Sequence, residues 1–156
     1  MAHPPARLSI TNRIPELRRM SEWLHIAAAT TGLPRDLTQR FDLCANEAVA
    51  NIIGYGYEGA DGDEAREISL EFSSGPAGAT LTIRDHGKPF DPLAAPEHEQ
   101  PADLEHAAIG GLGIHLIRRL MDECGYRRED GANVLHLSAR APADTAAPAG
   151  AAARRA

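Results

Sequence analysis

Every segment of this chain that reads as a strand is apolar on one face only. Residues 7–12 alternate, with Ser9 and Thr11 on the polar side. Ile68, Leu70 and Phe72 alternate with Ser69, Glu71 and Ser73; Leu81 and Ile83 alternate with Thr80, Thr82 and Arg84; His136 and Ser138 punctuate the last run. A period of two marks a half-buried strand, whereas a sheet covered by helices on both faces needs near-continuous apolar runs. The pattern therefore predicts an α+β fold, a two-layer α/β sandwich: a mixed, mostly antiparallel sheet with helices on one face only. The open face meets water or a second subunit.

The apolar face of such a sheet needs amphipathic helices, and the intervening segments supply them. Pro15 suits a first helical turn, after which Leu17, Met20, Leu24 and Ala27 recur at helical spacing until Gly32. Pro34 opens a second helix with Leu37, Phe41, Ala45, Ala48 and Ile52 on one side, running down near Gly54-Tyr55-Gly56. A third begins at Gly113 and carries Ile114, Ile117, Leu120 and Met121 on its inner stripe. Residues 59–64 read as an exposed turn. Residues 75–78 read as a hairpin connection longer than the tightest kind. A last hairpin, from about 125–128 to 134–140, turns at Asp130-Gly131.

At 156 residues the chain suits one domain. Only 4% of it is aromatic, so aliphatic side chains and alanine must fill the core. A net charge of −6, from 16 basic and 22 acidic residues, argues against a grip on nucleic acid or an anionic membrane. No apolar run approaches the ~20 residues that cross a bilayer, and the start lacks a secretory signal, so the chain reads as cytoplasmic. Cys44 and Cys124 then read as buried reduced thiols rather than a disulfide or metal site. The expected organisation is a flexible N-terminus at 1–6, one domain at 7–140 and a disordered Ala/Pro-rich tail at 141–156. Within the domain, 91–109 forms a long loop, a segment type that is usually functional.

Three short stretches carry the chemistry. In Asn46-Glu47-Ala48-Val49-Ala50-Asn51, Glu47 and Asn51 are four apart and share a helix face. Their neighbours are small and apolar, which leaves room for a ligand. A carboxylate accepts a hydroxyl proton and an amide oxygen suits Mg²⁺; a structurally satisfied Glu and Asn is the plainer alternative. Asp85 shares strand parity with Leu81 and Ile83 and so points toward the helices, where it needs a donor such as the amine of adenine. Gly87 allows close backbone approach to a base, though Asp-x-Gly also ends strands in simple turns. Gly110-Gly111-Leu112-Gly113 precedes a helix and offers bare amides to phosphates, or merely a hinge. It spells neither a dinucleotide fingerprint nor a P-loop. The loop before it suits a lid.

Together these elements resemble the asparagine box and two glycine boxes of the Bergerat-fold (GHKL) ATPases, the group of gyrase, histidine kinases and MutL. Within that group the chain is most similar to the anti-sigma-factor serine/threonine kinases of the RsbW and SpoIIAB type. The likeness runs from about residue 7 to 140, through residues 51–57, 85–92, 113–122 and 131–135. It implies Glu47 as general base and Asn51 as the Mg²⁺ ligand. It implies Asp85 and Gly87 at the adenine, and Gly110, Gly111, Leu112 and Gly113 at the phosphates of ATP. It further implies a homodimer, a STAS-domain anti-sigma-factor antagonist as substrate and, for many members, a bound sigma factor. Two positions depart from the pattern: Tyr55 stands where many relatives have His, and Ile109 where some carry arginine near the γ-phosphate. Arg118 and Arg119 read as solvated surface charges, and Lys88 lies by the base. Ile109 keeps open a second function, a nucleotide-dependent binding module without kinase activity. A histidine-kinase reading finds no phosphoacceptor helix, since His98 sits in the loop and His25 lacks an acidic neighbour.

Overall fold

In the computed structural model, which describes residues 3–57, 64–94 and 111–142, the one-sided strands form a single sheet. In chain order the elements are β1 (Ala6–Thr11), α1 (Glu16–Thr31), α2 (Arg35–Asn51), a π-helical turn (Ile52–Gly56), β2 (Glu67–Gly75), β3 (Gly78–Asp85), α3 (Gly111–Leu120), β4 (Glu123–Glu129) and β5 (Ala132–Arg140). The strand order is β1-β2-β3-β5-β4. Each of the four described pairings is antiparallel, so the sheet is antiparallel rather than mixed. The long loop beyond Ala94, the turn at 59–63, Gly110, Ile109, the side chains of Leu112 and Ile114, and the tail beyond 142 lie outside the described residues.

Register sorts the inner face into cross-strand rows. One row is Ala6, Phe72, Leu81, Leu137 and Cys124; the next is Leu8, Leu70, Ile83, Leu135 and Tyr126. The row after that is Ile10, Ile68, Asp85, Asn133 and Arg128, so the face turns polar at its end. The opposite face keeps its expected polarity, with Arg7 paired to Glu71 at 2.7 Å and Arg84 to Glu129 at 2.8 Å. Exposed pairs of this kind add little to stability.

The helices cover the apolar rows. Met20, Leu24 and Ala28 of α1, and Leu37, Phe41, Cys44, Ala45, Ala48 and Val49 of α2, are buried against Ile68, Leu70, Phe72, Leu81 and Ile83. Phe72 stacks edge-on against both Phe41 (5.5 Å) and Trp23 (6.2 Å), which ties β2 to both helices. Gly32 ends α1 in the left-handed conformation (φ 80°), as its position predicts. Helix α3 lies beyond α2, and the Arg40 guanidinium on α2 donates twice to the carbonyl of Leu120 at its C-terminal end. Ile117 is fully buried and Met121 nearly so.

Three expected element boundaries change. The β2–β3 connection is the shortest kind, two residues (Pro76 and Ala77), because Gly75 and Gly78 remain paired in the ladder. Glycines weaken a strand pattern in sequence, yet Gly78 belongs there: at φ 149° a Cβ would sit 2.5 Å from the Ala139 carbonyl oxygen. Helix α3 begins at Gly111, two residues before the expected start, so Gly111 and Gly113 occupy its first turn. Strand β1 starts at Ala6, one residue early. The Asp130-Gly131 turn is as expected, with both residues at positive φ (49° and 76°).

Both cysteines are free; Cys44 is buried, whereas Cys124 is only half-buried, its thiol 3.9 Å from the Ile117 carbonyl. Burial, aided by Cys124, pushes the Cys44 thiol from 9.0 to about 12. The folded state then keeps a proton that the unfolded chain releases, so stability present below pH 9.0 declines as pH rises toward about 12. Urea midpoints should therefore fall more steeply above pH 9.0 in the wild type than in Cys44→Ala. Phe72→Ala should cost about 3–5 kcal/mol in urea unfolding at neutral pH, because it empties the junction of α1, α2 and β2.

Candidate functional site

The polar end of the inner face lies under the C-terminal turn of α2. Asn51 ends that helix with 5% exposure, and its Nδ2 has no hydrogen-bond partner. A buried amide left unpaired costs about 1–3 kcal/mol. Across from it, Asp85 ends β3 at 3% exposure, and its Oδ1 accepts from the Gly87 amide (2.8 Å) and from Asn133 Nδ2 (3.1 Å). Asn51 and Asp85 line the same cavity, with Ala48, Ile52, Gly56, Ile83, Lys88, Phe90, Pro92, Tyr126, Asn133 and Leu135 around them.

The π-helical turn shapes one wall. Such turns concentrate at functional sites because an extra residue re-aims the chain. Here the Gly56 carbonyl accepts from the Lys88 amide at 2.8 Å. Gly87 packs so tightly on this turn that a Cβ would lie 2.5 Å from the Gly56 oxygen and 2.9 Å from Asp85 Oδ1. Tyr57 follows the turn and its hydroxyl accepts from the His86 amide at 3.0 Å. Burial pushes that phenol up, so it stays protonated at neutral pH. Tyr55, the departure from the family pattern, is half-buried within the turn.

The other expected residues fall into three groups. Glu47 sits one helical turn before Asn51, half-buried, off the cavity wall, and without a hydrogen bond or ion pair among the described residues. Gly111, Leu112 and Gly113 open α3, whose first amides have no helical acceptor. Gly110 lies outside the described residues. Lys88 is exposed at the cavity mouth, Arg119 is exposed on α3, and Arg118 lies near Cys124; neither arginine lines the cavity.

Asn133 was not legible as a site residue. It buries all but 6% of its surface between Asp85 and the strand β4; the likeness at 131–135 includes it but implies no role for its side chain. Only the cross-strand register brings it to Asp85.

The cavity encloses about 30 Å³, room for a water molecule. A purine is larger than this volume, and Lys88 and Phe90 are the exposed residues of its lining. A larger hollow of about 480 Å³ lies on the outer sheet face over Arg7, Glu71, Thr82 and Arg84. Its size is not chemistry, since Arg7, Glu71 and Arg84 already pair across strands. For a divalent ion, no cluster of three or more His, Cys, Asp or Glu side chains occurs among the described residues. The orphaned Asn51 amide fits a phosphate oxygen at its nitrogen or, turned over, a hard cation at its oxygen.

An antiparallel five-stranded sheet under three described helices, with an acid at a strand end facing the last turn of the second helix, is the arrangement of the histidine kinase-like ATPase domains. The family model of that description matches residues 10–139, and the chain belongs to this family. Within it the chain is of the RsbW and BtrW serine/threonine-kinase type. It is 32% identical over 116 residues to the serine/threonine-protein kinase BtrW of Bordetella bronchiseptica, a match covering 74% of this chain and 80% of that protein. It is 26% identical over 112 residues to the serine-protein kinase RsbW of Listeria innocua, covering 69% of each. A crystal structure of the RsbU and RsbW domains of a Mycobacterium tuberculosis protein shares the fold, with a TM-score of 0.61 at 17% identity. That match takes in 90% of this chain and 34% of the longer one.

Gly87→Ala should force the Gly56 and Gly87 backbones apart. We expect a loss of about 1–3 kcal/mol in thermal or urea unfolding and an ADP affinity, read by calorimetry, that falls by more than the stability loss explains.

Proposed function

We propose that this chain transfers the γ-phosphoryl group of ATP to a serine or threonine hydroxyl on a STAS-domain anti-sigma-factor antagonist, in a partner-switching pathway that controls transcription. The observation that carries the reading is the meeting of two groups on one cavity wall. The unpartnered amide of Asn51 and the buried carboxylate of Asp85 line one cavity, and Glu47, without a hydrogen bond or ion pair among the described residues, lies one helical turn before Asn51. Asp85 would accept from the adenine amine, and Gly87 would let backbone lie beside the base. Glu47 would take the proton of the attacking hydroxyl as the phosphoryl leaves ATP. Gly110, Gly111, Leu112 and Gly113 would present amides to the phosphates at the start of α3. Asn51 is the residue that would hold Mg²⁺, whose contribution is to neutralise phosphate charge.

The family resemblance extends the proposal to partners and organisation. The protein would act as a homodimer in the cytoplasm and, as many members of the family do, would also sequester a sigma factor. No helix among the described residues is long and apolar enough to cross a membrane. The domain would span 7–140, with 91–109 as the lid and short segments on either side. Ile109, in place of an arginine near the γ-phosphate, favours a second reading in which nucleotide only shapes a surface for partner binding.

Incubation with radiolabelled ATP, Mg²⁺ and the STAS-domain partner separates the two. The kinase reading expects label on the partner, with Glu47→Gln slowing transfer by about 10²–10⁴-fold while ADP affinity stays near wild type. Transfer unchanged by Glu47→Gln removes Glu47 as the base. A partner that is captured but never labelled supports the binding module.

A further inference from the structure

We infer that Asn133 is the positioning residue for Asp85: its amide occupies one carboxylate oxygen, so that only the other faces a purine, and this sets selectivity for an exocyclic amine. The inference rests on the adenine reading of Asp85 above.

Asn133 stands directly opposite Asp85 in the β3–β5 pairing. Its Oδ1 accepts from three donors, the Tyr126 hydroxyl (2.6 Å), Arg128 Nη1 (3.1 Å) and the Phe90 amide (3.3 Å). Turning the amide over would aim two N–H groups at two of those obligatory donors, so the network fixes which end faces which way. Nδ2 is therefore held toward Asp85 Oδ1 at 3.1 Å and the Lys88 carbonyl at 2.9 Å.

The consequence falls on the carboxylate. Oδ1 receives two N–H donors, from Gly87 and Asn133, which matches its two lone pairs. Oδ2 has no hydrogen-bond partner among the described residues. An ionised oxygen accepts and never donates. It pairs with an amine at position 6 of a purine and opposes a carbonyl oxygen there, as in guanine. The same amide also sets the mouth of the site. It holds Lys88 and Phe90 by their backbones, while Arg128 Nη1 donates to the Gly87 carbonyl at 2.8 Å.

The test is a calorimetric comparison of ADP with purine riboside 5′-diphosphate, which lacks only the amine, and with GDP. In the wild type, deleting the amine should weaken binding by roughly ten- to hundredfold. Asn133→Ala should shrink that ratio to below about threefold, and Tyr126→Phe, which frees one side of the amide, should give an intermediate ratio. A merely structural role lowers affinity for both diphosphates alike and leaves the ratio intact. Asp85→Ala is the control for the underlying reading. If it collapses the ratio while folded Asn133→Ala keeps the wild-type value, the positioning role is wrong and the adenine reading stands. If Asp85→Ala leaves the ratio unchanged, or the wild type binds no ADP, the adenine reading fails and the inference goes with it. Should Asn133→Ala not fold, Tyr126→Phe decides, and an unchanged ratio there overturns the proposal.

Discussion

Helix α2 is held across the middle of the sheet by Phe41, Cys44, Ala45, Ala48 and Val49, all buried, and the position of everything chemically active follows from that contact. Small residues at 45 and 48 let the helix approach the sheet closely. The next turn then brings Asn51 over the end of β3, where Asp85 closes an otherwise apolar row. Neither group would be tolerated there in a purely structural core. One leaves an amide nitrogen without an acceptor, and the other buries a carboxylate that needs donors. Apolar packing of α2 offsets those costs, which is how a small domain keeps polar groups ready for a ligand.

The π-helical turn after Asn51 solves a geometric difficulty. A regular helix would carry the chain onward along the sheet, away from the loop that follows β3. The wider turn instead returns Gly56 to that loop, where its carbonyl meets the Lys88 amide. The price is a contact that only glycine satisfies at position 87. The loop after Asp85 is thus fixed from two sides, by the π turn and by Asn133 with its partners on β4. An edge strand that in other respects is exposed becomes part of the site.

Much of this was legible from residues alone. One-sided strands required helices on a single face, and Gly32, Pro34 and Asp130-Gly131 marked the joints correctly. Asn51 and Asp85, picked for their placement on a helix face and a strand face, do line one cavity. Two of the differences share a cause. Glycine punctuates a sequence pattern, which predicts a loop at Gly75 and Gly78 and a helix that starts after Gly111; in the structure, pairing and packing override that local preference.

What the sequence determined by itself was periodicity and residue chemistry: which faces are apolar, where chains turn, and which carboxylates and amides interrupt buried surfaces. Those depend on neighbours a few residues away. Tertiary structure alone decided that Asn133, distant in sequence from Asp85, would saturate one of its oxygens, and that Gly56 would meet Gly87 at a distance no side chain permits. Both depend on strand register and on a π turn. These are set by the summed packing of the whole sheet and its helices, and no local pattern encodes them.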